Sequence, residues 1–172
     1  MDLRGINMVF MPMLEHDHNY LIVFELKHTP ISVIDNFSDA YQLVHLNDHY
    51  DYFEKDATYK VKEIFVKYLE HVKHPKTDEM IASKIKKVKR TWSTTGNALD
   101  YVVFLMRHME KYMGPREEFS SGLSSNGPKK IKQFKNPRKK YVAHILMSEC
   151  NKLREKIQIE ALGKWYGDNV FW

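Results

Sequence analysis

The sequence predicts an α+β fold in which helices pack on a short, mostly antiparallel β-sheet. Two observations carry this prediction. Short apolar runs rich in β-branched and aromatic residues lie near the amino terminus, and apolar residues recur at helical spacing further along the chain. With 172 residues, 43% of them hydrophobic, the chain has material for one core. We therefore expect residues 1–172 to form a single domain.

The predicted sheet begins with three segments that have the length and composition of buried strands. These segments are residues 8–14, 20–26 and 31–36. A His-Thr-Pro turn at residues 28–30 precedes the third segment, so the pattern predicts an antiparallel hairpin within the sheet. A basic segment at 84–92, which ends in Trp92, is predicted as a further strand.

Two helices are predicted in the middle of the chain from apolar positions at three- and four-residue steps. The first runs from Thr58 to about Val72 and stops before Pro75. The second begins near Asn97, whose short side chain can cap free backbone N–H groups, and runs to Met113. We expect the start of the second helix to be buried on all sides.

A third helix is predicted from about Pro137, a residue suited to a first helical turn, to about Ala161. Its apolar face consists of Val142, Leu146, Cys150, Leu153 and Ile157. Cys150 is therefore interpreted as a buried structural residue. Residues 115–136 have little periodicity and are predicted as an internal loop, and residues 162–172 as a disordered tail.

Composition excludes several classes of protein. One cysteine rules out an internal disulfide framework and a multi-cysteine zinc site. No apolar run reaches the length of a membrane helix, so we expect a soluble, intracellular chain with no membrane partner.

Positive charge is concentrated in the last third of the sequence. Residues 115–172 hold 12 Lys and Arg against 6 Asp and Glu, and the densest run is Lys129–Lys140. Such a run can attract nucleic acid or an acidic protein. The alternative interpretation is a solvated linker that leads into a helix.

Several short motifs follow one another in a set order. They are Val9-Phe10-Met11-Pro12 followed by His18-Asn19-Tyr20-Leu21-Ile22-Val23, Val33-Ile34-Asp35-Asn36, Thr95-Gly96-Asn97-Ala98-Leu99-Asp100-Tyr101-Val102-Val103-Phe104, and a helix from Arg138 to Arg154. In this order they resemble the ubiquitin-like-protein-specific proteases, the SUMO-type cysteine peptidases. The similarity is greatest to divergent plant members associated with mobile elements. It covers about residues 8–159 and lacks the family's amino-terminal helical part, so we expect a partial domain.

The resemblance implies a papain-like fold and a role for each matching position. His18 takes the position of the general base, and Asp35, 17 residues later, that of the acid that orients the histidine. Tyr101 stands where the family has its nucleophilic cysteine, and Thr95 stands where the family has an oxyanion-binding glutamine. The implied substrate-binding positions are Asn19, which replaces a tryptophan, Trp92 and Asn97.

The departures from the family pattern argue against hydrolysis. A cysteine at a helix amino terminus beside a histidine has a lowered pKa and supplies a thiolate. A phenol, whose pKa is near ~10, is a poor nucleophile at neutral pH. Thr95 is too short to present an amide donor, and Val102 replaces a glycine. We interpret Tyr101 as filling the vacated site and hydrogen-bonding to His18.

The resemblance therefore implies a peptidase domain for ubiquitin-like modifiers, located in the nucleus or cytoplasm, that has lost turnover. The alternatives are a non-catalytic module that binds a modifier or another protein, a nucleic-acid-associated mobile-element product that uses Lys129–Lys140, and a decayed gene product. The histidines at 16 and 18, 45 and 49, and 71 and 74 have spacings found in metal sites. Zinc requires three or four convergent ligands, however, so we expect no metal or other cofactor.

Overall fold

The fold contains a four-stranded mixed sheet, a two-stranded sheet and five helices within the residues that the structure describes. The structure is a computed structural model, and it describes residues 3–15, 18–35, 57–90, 101–114, 118–123 and 129–168. The predicted α+β class is confirmed. The chain divides into two compact units, Met1–Gly127 and Pro128–Trp172, and the single domain expected from the sequence stays a prediction. None of the helices in the described ranges has the length and apolarity needed to span a bilayer.

The four-stranded sheet has the order β1-β2-β3-β4. Its strands are β1 (Met8–Glu15), β2 (His18–Glu25), β3 (Ile31–Asp35) and β4 (Ile85–Lys87). The first three strands pair antiparallel, and β4 pairs parallel with β3. The three strands and the hairpin predicted from the apolar runs are therefore confirmed.

Strand β2 is buried on both faces, which explains why its sequence is continuously apolar. Tyr20, Ile22 and Phe24 share a cluster with Phe65 and Leu69 of helix α1 (Ala57–His71). The Phe24 and Phe65 ring centroids are 4.2 Å apart. The alternate residues Leu21 and Val23 form a second cluster with Ile34, Tyr112 and Phe119. Since side chains alternate along a strand, these clusters lie on opposite faces of the sheet.

Helix α1 confirms the prediction made for residues 58–72 within one residue at each end. Of the apolar residues at helical spacing in this segment, Ile64 is 65% exposed, while Phe65 and Leu69 are buried and carry the packing. A short helix that the sequence did not predict, α2 (Thr77–Ala82), follows. The Lys62 ammonium of α1 donates to the carbonyls of Ile81 at 2.8 Å and Ser83 at 2.6 Å, which ties the end of α2 to α1. Burial lowers the pKa of Lys62.

The basic segment predicted as one strand forms two short strands. β4 ends at Lys87, the Val88 amide donates to the Val33 carbonyl at 2.9 Å, and β5 (Lys89–Arg90) then pairs parallel with β6 (Glu118–Phe119) in a separate sheet. Trp92 lies outside the described residues. β6 falls inside the segment predicted as a loop, which is wrong there because two residues are too few to show periodicity.

Helix α3 (Tyr101–Lys111) packs on β2. Its predicted start at Asn97 lies outside the described residues. The buried positions are Val103, Phe104, His108 and the residue just after the helix, Tyr112. Val102 is 58% exposed, so the prediction that the start is buried all round is wrong. Only one side of α3 packs on the sheet. The buried side includes His108, which a search for apolar periodicity does not count.

The described residues of the second unit, 129–168, form two helices where the sequence predicted one. α4 (Lys129–Met147) begins eight residues before Pro137, which lies inside it, and α5 (Arg154–Asp168) extends into the predicted tail. Residues 129–136 are therefore helical, not part of a loop. Cys150 lies exposed in the connecting turn, so its interpretation as a buried residue on a helix face is wrong.

Asn151 is the physical reason for the break between α4 and α5. Its side-chain amide donates to the Leu146 carbonyl at 2.8 Å, and its side-chain oxygen accepts the Leu153 N–H at 3.0 Å. One side chain thus satisfies a free carbonyl at the end of α4 and a free N–H before α5. Apolar spacing alone carries no information about this cap.

Replacing Asn151→Ala should lower the free energy of unfolding by about 1 kcal/mol, because both helix ends lose a partner. Chemical denaturation followed by circular dichroism measures the change. Asn151→Asp keeps the acceptor and loses the donor, so its effect should be smaller than that of the alanine variant. Lys152→Ala, at an exposed position in the same turn, is the control. Equal stabilities of Asn151→Ala and Lys152→Ala would contradict the capping role.

Candidate functional site

Two of the positions matched to the protease family lie at one end of the sheet. Asp35 is the last residue of β3 and is fully buried, and its Cα partner on β2 is Tyr20. His18, the first residue of β2, precedes Tyr20 by two residues. In an antiparallel pair such diagonal neighbours are roughly 7–8 Å apart. The backbone therefore brings the predicted base and acid positions together, while the His18 side chain lies outside the described residues.

Asp35 has a cationic neighbour that sequence reasoning missed. Lys87 Nζ of β4 lies 3.9 Å from Asp35 Oδ2, and Lys87 is the Cα partner of Val33. A buried carboxylate is costly unless charge or hydrogen bonds compensate it. The lysine-rich composition of residues 84–90 indicated that a cation could lie near the sheet. Only the parallel pairing of β4 with β3 identifies Lys87 as the lysine that reaches Asp35.

Tyr101 is the first residue of α3, at the helix end where the positive pole of the backbone dipole lies. Its side chain is outside the described part of the chain, as are Thr95, Trp92 and Asn97. Asn19 is half-buried on β2, opposite Leu14 of β1. Convergence of His18, Asp35 and Tyr101 thus stays a prediction.

The direction of α3 bears on that prediction. Tyr112, just beyond the end of the helix, contacts Glu25 at the last residue of β2. Leu105 and Met109 pack on the cluster that contains Leu21 and Val23, further back along the strand. An 11-residue helix is about 16 Å long, so α3 leads from Glu25 back towards the end of β2 that His18 begins.

The faces of the sheet add a constraint. Asp35 alternates with Ile34 and so belongs to the face of Ile31 and Val33, which α1 covers. α3 packs on the opposite face, with Ile34. Contact between Tyr101 and Asp35 would therefore have to be made around the end of the strands and not across one face.

A buried polar cluster occupies the other end of the sheet, and the sequence did not predict it. Glu25, Ser32 and Tyr112 are 1%, 5% and 2% exposed. The Tyr112 hydroxyl donates to Glu25 Oε1 at 2.5 Å and lies 2.9 Å from Ser32 Oγ. The Ser32 hydroxyl is also 3.3 Å from Glu25 Oε1. We call these three residues the Glu25 cluster.

Burial controls the ionisation of the Glu25 cluster. Loss of hydration raises the pKa of Glu25 above its ordinary value near 4.5, and the hydroxyls of Tyr112 and Ser32, together with His28, oppose that rise in part. Burial, followed by the hydrogen bond to Glu25, raises the pKa of Tyr112. The phenol thus remains a donor throughout the neutral range.

Gly114 lies next to the Glu25 carboxylate. Its φ of +114° lies in a region that favours glycine, and a Cβ there would stand 3.6 Å from Glu25 Oε2. The nearly complete burial of the cluster leaves no room for a substrate. The role of the Glu25 cluster is to hold the end of α3 on the sheet. In the sequence, the feature that could have indicated this cluster is the single carboxylate, Glu25, within the apolar run of residues 20–26.

The described residues contain no group of three or more His, Cys, Asp and Glu side chains placed to hold a metal ion. His74, one of the histidines with metal-site spacing, is buried, and its Nδ1 accepts the Lys76 N–H at 3.2 Å. This histidine caps a turn. His45 and His49 lie outside the described ranges.

No protein-family model, no curated protein and no solved structure matches the chain. The likeness to the ubiquitin-like-protein-specific proteases therefore rests on the residues and motifs alone.

Tyr112→Phe should lower the free energy of unfolding by about 1–3 kcal/mol, because it leaves the buried Glu25 carboxyl short of a hydrogen-bond partner. Denaturant unfolding monitored by circular dichroism measures the loss. Tyr59→Phe removes a hydroxyl from a side chain that is 51% exposed and should leave stability unchanged. If both variants unfold at the same denaturant concentration, Tyr112 does not support the carboxyl.

The Glu25 cluster also predicts how stability depends on pH. Because the folded state raises the pKa of Glu25, it binds the carboxyl proton more tightly than the unfolded chain does. The stabilising contribution of this residue is therefore complete below the ordinary pKa near 4.5 and declines as pH rises through the folded-state pKa.

Glu25→Gln should remove that decline, since the amide does not ionise. Melting temperatures of the wild type and the variant, measured from pH 4 upwards, provide the comparison. The difference between them should favour the variant increasingly as pH rises. A constant difference at every pH would show that Glu25 titrates normally.

Proposed function

We propose that this chain is a papain-like domain of the ubiquitin-like-protein-specific protease type that has lost peptidase activity. The observation that carries the proposal is the position of Tyr101 as the first residue of α3. A helix amino terminus stabilises a thiolate in a cysteine protease. Here that position holds a phenol.

The order of the described elements supports the proposal. His18 opens β2, Asp35 closes the neighbouring β3, and α3 follows later in the chain on the same sheet. This is the order of base, orienting acid and nucleophile that the resemblance implies. Asp35 has Lys87 as a neighbour at 3.9 Å, and that cation competes with a histidine for the carboxylate.

Loss of turnover follows from the chemistry available at residue 101. A phenol is almost entirely protonated at neutral pH, and removing its proton costs more than removing that of a thiol. Val102 is exposed beside it and adds a branched side chain next to the position of attack. Cys150, the one cysteine of the chain, belongs to the turn between α4 and α5 in the other compact unit.

The experiment uses a modifier whose carboxy terminus carries an electrophile that traps an active-site cysteine. Cys150→Ser supplies a background without thiols. In that background the parent chain should not be labelled, and Tyr101→Cys should be labelled at neutral pH. Adding His18→Ala should slow labelling at least about 100-fold, the lower end of a general-base contribution. Mass spectrometry locates the adduct.

Labelling is a better readout than turnover, because Thr95 cannot replace the oxyanion-binding glutamine that the family uses. Cleavage of a modifier precursor by the wild-type chain would refute the loss of activity. Failure of Tyr101→Cys to react, or a rate unaffected by His18→Ala, would refute the family assignment. Binding of the unmodified modifier without labelling would support a module that binds and does not cleave.

A further inference from the structure

Net positive charge is confined to the second compact unit. Pro128–Trp172 contains 11 Lys and Arg against 4 Asp and Glu, a formal charge of +7. The 127 residues of the first unit contain 16 against 18, a formal charge of −2. The charge of +5 calculated for the whole chain therefore conceals a weakly acidic unit and a strongly basic one.

Within the second unit the charge belongs to α4. Residues 119–148 contain no Asp or Glu, and α4 carries seven Lys and Arg. The other long helices differ. α1 mixes three lysines with two glutamates, and in α5 Lys156 lies 3.9 Å from Glu160. An ordinary solvated helix balances its cations in this way, whereas like charges three and four residues apart disfavour a helix.

We propose that α4 binds the phosphate backbone of nucleic acid. Lys135, Arg138 and Lys139 are exposed and lie at i, i+3 and i+4, so they share one side of the helix. Lys140 is also exposed, with its Nζ 5.9 Å from the Tyr141 ring centroid. One turn of the helix rises about 5.4 Å, which lies between the axial spacing of adjacent phosphates on one strand, about 3.4 Å, and that of alternate phosphates, about 6.8 Å.

The distribution of apolar residues favours nucleic acid over an anionic membrane. A helix that lies in a membrane surface places apolar side chains opposite its cations along its whole length. In α4 the exposed apolar residues Val142 and Ile145 follow the cations along the axis. Over residues 133–140, whose side chains the structure describes, Phe134 is buried and the cations offer phosphate contacts with no large exposed apolar side chain to insert. Contacts of this kind give affinity that does not depend on base sequence.

Fluorescence anisotropy of the full chain with a short labelled DNA duplex, over a series of salt concentrations, tests the proposal. If four phosphates are neutralised, affinity should fall roughly 100-fold between about 50 and 200 mM salt. The combined variant Lys135→Gln, Arg138→Gln, Lys139→Gln should weaken binding at least about tenfold and reduce the salt slope by about 2–3.

The matched control removes the same charge from the first unit through Lys27→Gln, Lys67→Gln and Lys84→Gln, all at exposed positions. It should change affinity less than about twofold, since overall charge acts weakly through salt. A second variant, Lys135→Arg with Lys139→Arg, keeps the charge and should keep both affinity and salt slope. This variant remains informative if the glutamine variant loses helix content by circular dichroism.

Three results would overturn the proposal. They are equal weakening by the two glutamine variants, binding to DNA that does not respond to salt, and binding to vesicles containing phosphatidylserine by a chain that does not bind DNA. The last result would assign α4 to a membrane surface instead.

Discussion

Burial of β2 on both faces is the constraint on which the rest of the first unit depends. An apolar strand between two layers requires α1 on one side and α3 on the other. An aromatic side chain packs against the strand from each side: Phe65 from α1, and Tyr112 from the residue that follows α3. Any polar residue in β2 must then be satisfied inside the protein. Glu25 meets this requirement through hydrogen bonds from Tyr112 and Ser32. Because Tyr112 directly follows α3, the hydrogen bond to Glu25 also fixes the position of the end of that helix.

The elements predicted from the sequence are those in which burial against the sheet produces a recognisable apolar pattern. The three strands and α1 were predicted closely because continuous apolar runs and a stripe containing Phe65 and Leu69 follow directly from packing on two faces. Prediction failed where polar side chains decide the structure. His108 lies in the buried side of α3, and Asn151 separates α4 from α5 through two hydrogen bonds. Neither effect contributes to hydrophobic periodicity.

In the candidate site, too, some features could be predicted from the sequence and others could not. The order His18, Asp35, Tyr101 could be taken from the sequence by resemblance, and β2, β3 and α3 carry these residues in that order. Lys87 could not be identified, because it reaches Asp35 only through the parallel pairing of β4 with β3, contributed by a segment about fifty residues later in the chain. The Glu25 cluster was missed for a related reason: its members come from residues 25, 32 and 112, and no local pattern joins them.

Two carboxylates that are buried in the described part of the chain, Glu25 and Asp35, show why residue type alone does not define a site. Glu25 is surrounded by neutral hydroxyls, which offset only part of the hydration that its charge loses, so the proton is held more tightly. Asp35 lies instead beside a cation. These environments occupy opposite ends of the same strand pair. In the proposed function this cation competes with His18 for the Asp35 carboxylate. Under the proposed function, therefore, the acid position is already held by a lysine, and Tyr101 supplies a phenol in place of the thiol that a base and its partner would activate.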